Sequence, residues 1–518
     1  MKKFVKNAIG REIPVFMEGL GNLTPFKGAY DHFPEGNRHA TRLTKSFESE
    51  NKLLSDLKTG IERSGIKDGM TISFHHHFRN GDFLVNQVMD ILAEMGIKDI
   101  TIFASSLQGI HKPLIEHIKN GVVTGIETSG IRGELGEAIT RDHILKKPVI
   151  IRSHGGRPRA IAAGETKIDV AFLAAPAADE YGNVNGVEGP TACGSLGYAM
   201  ADAEYANKVV VVTDHLVNYP ATPISIPQTL VDYVVKVDKI GDPAGIVSGA
   251  TRITKNPMEL LIAEQASKAV ISSGLVKEGF SFQAGTGGPS LAVAHFLREH
   301  MINEGIKGSF ASGGTTGYLV EMLNEGLFKT LLDVQCFDLK AVESIKTNPN
   351  HVEMSADYYA NPHNKGCAAN KLDIMILSAT EIDVDFNVNV ITGSNGVIMG
   401  ASGGHCDTAA GAKLSIVVAP LLRGRLPIVV DKVTTVITPG ETIDAVVTER
   451  GIAVNPRRKD LKEQFTNAGL KVVTMEELKL IAEKLSGKPE AIQTSDEIVG
   501  LVQYRDGTII DTIKRVVE

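Results

Sequence analysis

The sequence predicts an α/β protein made of two similar domains with mainly parallel sheets. Three observations predict it: short apolar runs that do not alternate, helical patterns between those runs, and one stretch of chain that recurs far downstream. The runs "GMTISF" (Gly69 to Phe74), "DITIF" (Asp99 to Phe103), "VAFLAA" (Val170 to Ala175) and "KVVVVTD" (Lys208 to Asp214) are short and β-branched, as strands covered on both faces are. "DFLVNQVMDILAEMG" (Asp82 to Gly96) has the period of an amphipathic helix, with Asp82 as its N-cap and Gly96 past its end. "PSLAVAHFLREHMINEG" (Pro289 to Gly305) repeats that pattern, with Pro289 in the first turn, where a missing N–H costs nothing.

The recurrence is "KIDVAFLAAPAADEYGNVN" (Lys167 to Asn185), which lies without a gap on "KLDIMILSATEIDVDFNVN" (Lys371 to Asn389). "GIKDITIFAS" (Gly96 to Ser105) matches "GIKGSFAS" (Gly305 to Ser312), and "DAEYANKVVVV" (Asp202 to Val212) matches "DTAAGAKLSIV" (Asp407 to Val417). Collinear matches at so long a spacing indicate a duplicated domain, not a solenoid repeat. The Gly- and Pro-containing stretch from Gly241 to Pro257 places the joint. The expected organisation is an N-terminal arm over 1–60, a first domain over 61–250 and a second over 251–518.

Charge and composition restrict the partners. The 518 residues carry a formal charge of −7 with no long basic run, which excludes nucleic acid and anionic membrane surfaces. No apolar segment reaches the roughly 18 residues a membrane span needs. The N-terminal "MKKFVKNAIGREIPVF" is too polar for a secretory signal, and Cys193, Cys336, Cys367 and Cys406 are far apart in the chain. The chain reads as cytoplasmic with reduced thiols.

Three glycine-rich turns follow strands in the second copy: "QAGTGGPSLAV" (Gln283 to Val293), "ASGGTTGYLVEML" (Ala311 to Leu323) and "GASGGHCDTAAGAK" (Gly400 to Lys413). Such turns present backbone N–H groups to a phosphate, a carboxylate or an oxyanion. None is a P-loop or a dinucleotide fingerprint. His405 and Cys406 are adjacent in sequence, which disfavours a catalytic pair; Cys406 reads as a small buried thiol. In the first copy, "SFHHHFRNGD" (Ser73 to Asp82) falls on the first glycine turn, His75 on Gly285 and Phe78 on Gly288. On extended backbone the three histidines alternate faces and do not converge on one ion, so no metal is expected.

"FQAGTGGPSLAV", "EIDVDFNVNV" and "GASGGHCDTAAGAKLSIVVAPL" resemble the second domain of acetyl-CoA hydrolase and CoA-transferase proteins. "SLQGIHKPLIEHIKNGVVTGIETSGIRGELGEAIT", "RSHGGRPRAI", "AADEYGNVNGVEGPTACGSLGYAMADAEYA" and "NLTPFKGAY" extend the likeness over the full length to the citrate lyase α-subunit family. The resemblance implies a citrate:acetyl-carrier exchange, in which citrate replaces acetate on a thioester. It implies a thiol on phosphoribosyl-dephospho-CoA of a γ carrier subunit (free CoA thioesters as surrogates), no cofactor on this chain, a β subunit that cleaves the citryl thioester, and a bacterial, cytoplasmic hetero-oligomer. By the same resemblance Gly403 and Gly404 hold the oxyanion, with His405 and Asp407 beside them. Gly285, Thr286, Gly287 and Gly288 receive the carrier arm, and Gly313 and Gly314 extend that surface. His75, His77 and Arg79 are assigned to citrate; Arg152, Arg157 and Arg159 are the other strand-end arginines. The acylated glutamate of many CoA-transferases has no clear counterpart near "VQCFD"; Glu343, Glu353 and Glu381 are the candidates. The rival readings are a transferase or hydrolase for a small monocarboxylate, a non-catalytic scaffold, and a histidine-centred metal hydrolase.

Overall fold

The computed structural model describes residues 3–45, 51–247, 253–285 and 287–517. Among the described residues two central sheets hold ten and nine strands, and seven parallel strands in each follow the same sequence-to-space order. In the first domain they are β1 (Thr71–Phe74), β2 (Ile100–Ala104), β3 (Val123–Thr128), β4 (Val149–Ile151), β5 (Val170–Ala175), β6 (Lys208–Thr213) and β7 (Tyr233–Lys236). In the second they are β8 (Ser281–Ala284), β9 (Gly308–Thr315), β10 (Phe328–Cys336), β11 (His351–Glu353), β12 (Ile374–Ser378), β13 (Leu414–Val418) and β14 (Ala445–Thr448). The first sheet runs β4-β3-β2-β1-β5-β6-β7 and the second β11-β10-β9-β8-β12-β13-β14, all pairs parallel. The shared order is what the expected pair of similar domains calls for. His75 and Gly285 are each the first residue after equivalent strands.

Every residue of β5 and β13 is buried, so both sheet faces are covered and the runs need not alternate. Separate apolar cores follow, one around the first sheet and one on each face of the second. The helix expected from Asp82 spans Leu84–Glu94; Asp82 sits one residue before its cap and still accepts the Leu84 N–H at 2.9 Å. The helix Gly288–Glu304 carries its proline in the first turn.

The sheets divide the chain differently from the three consecutive segments read in the sequence. Leu53–Leu54, inside the stretch assigned to the arm, pairs with β7. More consequentially, β15 (Thr494–Gln503) and β16 (Ile509–Val516), at the end of the stretch assigned to the second domain, extend the first sheet beyond β4. The physical reason is the open edge of β4, whose backbone groups need a partner that 61–250 does not contain.

Candidate active site

Ligand sites of open parallel sheets lie beyond the carboxyl ends of the strands. Here the carboxyl ends of both sheets face one cleft of about 900 Å³. His76 and Arg79 follow β1, Ser106 and Gln108 follow β2, Arg132 follows β3 and His154 follows β4. Gly285 and Gly287 follow β8, and the turn Gly400 to Gly404 closes the opposite wall.

Backbone bonds between the domains fix that turn. Ser402 N–H donates to the Ser129 carbonyl (2.7 Å), Ile131 N–H to Gly400 (3.1 Å) and His154 N–H to Gly403 (2.7 Å). Asp407, fully buried in the helix His405–Gly411, accepts from the Ser153 hydroxyl (2.8 Å) and the Gly155 N–H (2.9 Å), with Arg505 Nε at 3.6 Å. Its carboxylate oxygens therefore hold a loop of the first domain. Burial is the first cause that raises its pKa to about 6, partly offset by Arg505 and the two donors.

Gly403 has a φ of +54°, a left-handed conformation that suits glycine. A Cβ on Gly404 would stand 2.4 Å from the Tyr359 hydroxyl oxygen. Both residues line the cleft, and neither N–H has an acceptor among the described residues. Two free amides in one tight turn are groups that can donate to an anion or a developing oxyanion. His405 borders them but is spent: Nε2 donates to the Ser378 carbonyl (2.9 Å), and Nδ1 accepts from the Thr438 hydroxyl (2.7 Å). Burial lowers its pKa to about 4, so it stays neutral.

Three arginines line the cleft, Arg79, Arg132 and Arg423, and no aspartate or glutamate does among the described residues. Arg79 adopts a φ of +52° over the Phe337 ring, and its buried Nη1 lacks a partner. Burial first, then Arg132, lowers its pKa to about 10, which still leaves it charged at neutral pH. By contrast, Arg157 is paired bidentately with Asp202 and Arg159 with Glu165, and Arg152 bonds Glu127 through Nη1 and Gln503 through Nε. Of the four arginines singled out in the sequence, only Arg79 is unspent.

It is His76 that lines the cleft; the strand ends at Phe74, and His77 already lies in the turn that the Arg79 N–H closes on the His76 carbonyl (2.9 Å), so the backbone is not extended through the three histidines as the sequence reading assumed. Ser105 Oγ accepts the His76 N–H (2.9 Å), and its own hydrogen has only His76 Nδ1, at 2.6 Å, as acceptor. The neutral ring then carries its hydrogen on Nε2, which has no partner among the described residues. His75 and His77 face each other behind the wall, Nδ1 to Nδ1 at 2.8 Å, and do not line the cleft. Burial lowers the pKa of His75 to about 4 and of His154 to about 3, and lowers those of His76 and His77. These rings act as neutral donors and acceptors; they are not cations for a carboxylate.

The remaining assigned residues separate. Gly285 lines the cleft with its N–H spent on Ile376, and Gly287 lines it with no acceptor for its N–H among the described residues. Gly288 lines a neighbouring hollow of about 330 Å³, which also touches Gly287, Ser378 and Arg423. Gly314 lines the cleft, whereas Gly313 sits behind it at a β-bulge against Gln283. Thr286 lies outside the described residues. All four cysteines are buried, and burial raises the Cys406 pKa, which leaves no thiolate at the turn. Sequence reasoning missed Arg132, Arg423, His76 and Tyr359. Arg132 follows a strand as Arg79 does, and that position was its signal; the others carry none.

The family model described as "Citrate lyase, alpha subunit" matches residues 50–516. The citrate lyase alpha chain of Klebsiella pneumoniae is 54% identical over 494 residues, covering 95% of this chain and 96% of that one. That of Escherichia coli K12 is 54% identical over 469 residues, 90% and 92% of the two chains. Among solved structures, an alpha subunit of citrate lyase from Streptococcus mutans in complex with citrate superposes with a TM-score of 0.96 at 56% identity, covering 99% of this chain and all of that one. A malonate decarboxylase alpha subunit from Acinetobacter baumannii, 16% identical with a TM-score of 0.63 over 85% of this chain and 93% of that one, shares the fold.

Proposed function

This chain belongs to the citrate lyase alpha-subunit family, and from that membership we infer that its cleft exchanges citrate for acetate on a carrier-bound thioester. A carboxylate oxygen of citrate attacks the acetyl thioester carbonyl, and collapse of the tetrahedral adduct expels the thiolate and leaves a mixed anhydride. The thiolate then attacks the citryl carbonyl of the anhydride and expels acetate. Atoms balance without an oxidant, a reductant or water. The Gly403 and Gly404 amides are the donors for the oxyanion of each adduct.

The observation that carries this reading is the lining charge: Arg79, Arg132 and Arg423 without one carboxylate. A monocarboxylate does not need three guanidinium groups in a cleft that lowers the pKa of two of them; a tricarboxylate offsets the cost. We propose further that the thioester is carried on phosphoribosyl-dephospho-CoA of a γ carrier, that a β subunit cleaves the citryl product, and that the assembly is a cytoplasmic hetero-oligomer in which this chain holds no cofactor of its own. The absence of a membrane-length apolar helix among the described residues is compatible with that location.

No glutamate lines the cleft among the described residues. Glu343 is exposed on its helix, Glu353 accepts the Leu196 N–H (2.5 Å), and Glu381 accepts from Asn389 (3.0 Å) and the Thr434 N–H (2.8 Å). This favours direct attack by citrate. Incubated with acetylated carrier and citrate, the protein is expected to release acetate and yield citryl carrier by mass, and borohydride quenching is expected to reduce no glutamate. No citrate-dependent release would end the proposal, and a reduced glutamate would end the direct route.

Arg79→Ala is expected to raise the citrate KM about 10- to 100-fold, the range for losing a charged hydrogen-bond partner. Initial rates at saturating thioester measure it.

A further inference from the structure

A third donor stands at the oxyanion turn. Tyr359, in the helix Ala356–Ala360, is 3% exposed and lines the cleft, with its hydroxyl packed against Gly404. The hydroxyl oxygen accepts from Gln283 Nε2 at 2.8 Å. Gln283 Oε1 in turn accepts from the Ser312 hydroxyl at 2.9 Å.

That chain has one polarity. Ser312 lies behind the wall with no other acceptor among the described residues, whereas Tyr359 opens on the cleft, where its hydrogen can be taken up; the Gln283 amide therefore presents its oxygen to Ser312 and its nitrogen to Tyr359. Tyr359 is thereby an acceptor from the protein, and its own hydrogen has no acceptor among the described residues. Burial pushes the phenol pKa up, which keeps that hydrogen in place at working pH. A buried hydroxyl that must donate and has nothing in the protein to donate to points to the cleft's occupant.

We propose that the Tyr359 hydroxyl donates to the oxyanion formed at the thioester carbonyl, beside the Gly403 and Gly404 amides, with Gln283 and Ser312 as its positioning residues. The proposal rests on the acyl exchange inferred above. Its energetic logic is that a donor held by neighbours needs no reorganisation when charge develops, so it stabilises the adduct more than the bound thioester.

Tyr359→Phe keeps the ring and removes the hydroxyl. The experiment compares the wild type, Y359F and Ser312→Ala in citrate-dependent acetate release from acetylated carrier, with thermal midpoints recorded for each. Y359F is expected to lower kcat about 100-fold, with the citrate and thioester KM values each within about twofold of wild type. S312A frees the Gln283 amide to turn its oxygen to Tyr359, which would then bond the protein instead of the adduct. It is expected to lower kcat about 3- to 10-fold, again without a KM change. A Y359F protein with wild-type kcat, whatever its thermal midpoint, overturns the proposal. So does a loss seen only in KM. If Y359F does not fold, an S312A kcat equal to wild type overturns it instead. A wild type that exchanges no citrate would condemn the parent reaction, and this outcome is distinct because it appears before any variant is measured.

Discussion

Gly404→Ala is expected to lower citrate-dependent exchange about 100- to 1,000-fold, the cost of disturbing an oxyanion donor. The added Cβ would stand 2.4 Å from the Tyr359 hydroxyl oxygen and 3.1 Å from two ring carbons, and that ring is buried and tied to Gln283. It cannot withdraw, so the turn moves and takes the Gly404 N–H out of line. The Gly404 φ of −92° suits alanine, so the effect is one of contact and not of backbone strain. Turnover at saturating citrate and thioester measures it, and binding of citrate to the resting enzyme separates it from a loss of affinity. A near wild-type kcat in G404A would remove the turn from the mechanism.

Asp407→Ala is expected to cost about 3–5 kcal/mol of stability, the usual penalty for removing one member of a buried charged cluster. The variant leaves the Ser153 hydroxyl and the Gly155 N–H without their acceptor and Arg505 without its counter-charge. Chemical denaturation at neutral pH measures it. The same group gives the wild type a pH signature. Its folded pKa is raised from 3.8 to about 6, burial being the first cause, so the folded state binds this proton more tightly than the unfolded state. Its contribution to stability is therefore fully present below about pH 3.8 and is lost as pH rises through about 6. Asp407→Asn, with no titrating carboxyl, is expected to lack that segment of the stability–pH curve.

Much of the architecture was legible because burial writes itself into residue type. β5 and β13 are short, apolar and unbroken, and the sequence laid them on β12 and β6 respectively before any sheet was visible. The glycine turns were legible for the same reason, since a left-handed residue such as Gly403 leaves a glycine behind. What escaped is what pairing and phase decide. Arg157 and Arg79 look alike in a strand-end loop; only the fold shows that Asp202 has claimed one and nothing has claimed the other. The three histidines do not show which of them faces the cleft; Ser105, 29 residues away, settles that by taking His76 Nδ1. Tyr359 carries no local signal at all; its role depends on a hydroxyl and an amide brought together from other strands.

The return of β15 to β4 has a consequence for how the molecule is made. Gly500, Leu501 and Val502 pair with Val149, Ile150 and Ile151, partners some 350 residues apart. The second domain is thus an insert looped out between two strands of the first. During synthesis the edge of β4 emerges early and waits for almost the whole chain before its neighbour exists. Contacts of such long range are slow to close, and a bare strand edge is a template for other chains. Elongation, not the chemistry of the cleft, sets how long that edge stays unguarded.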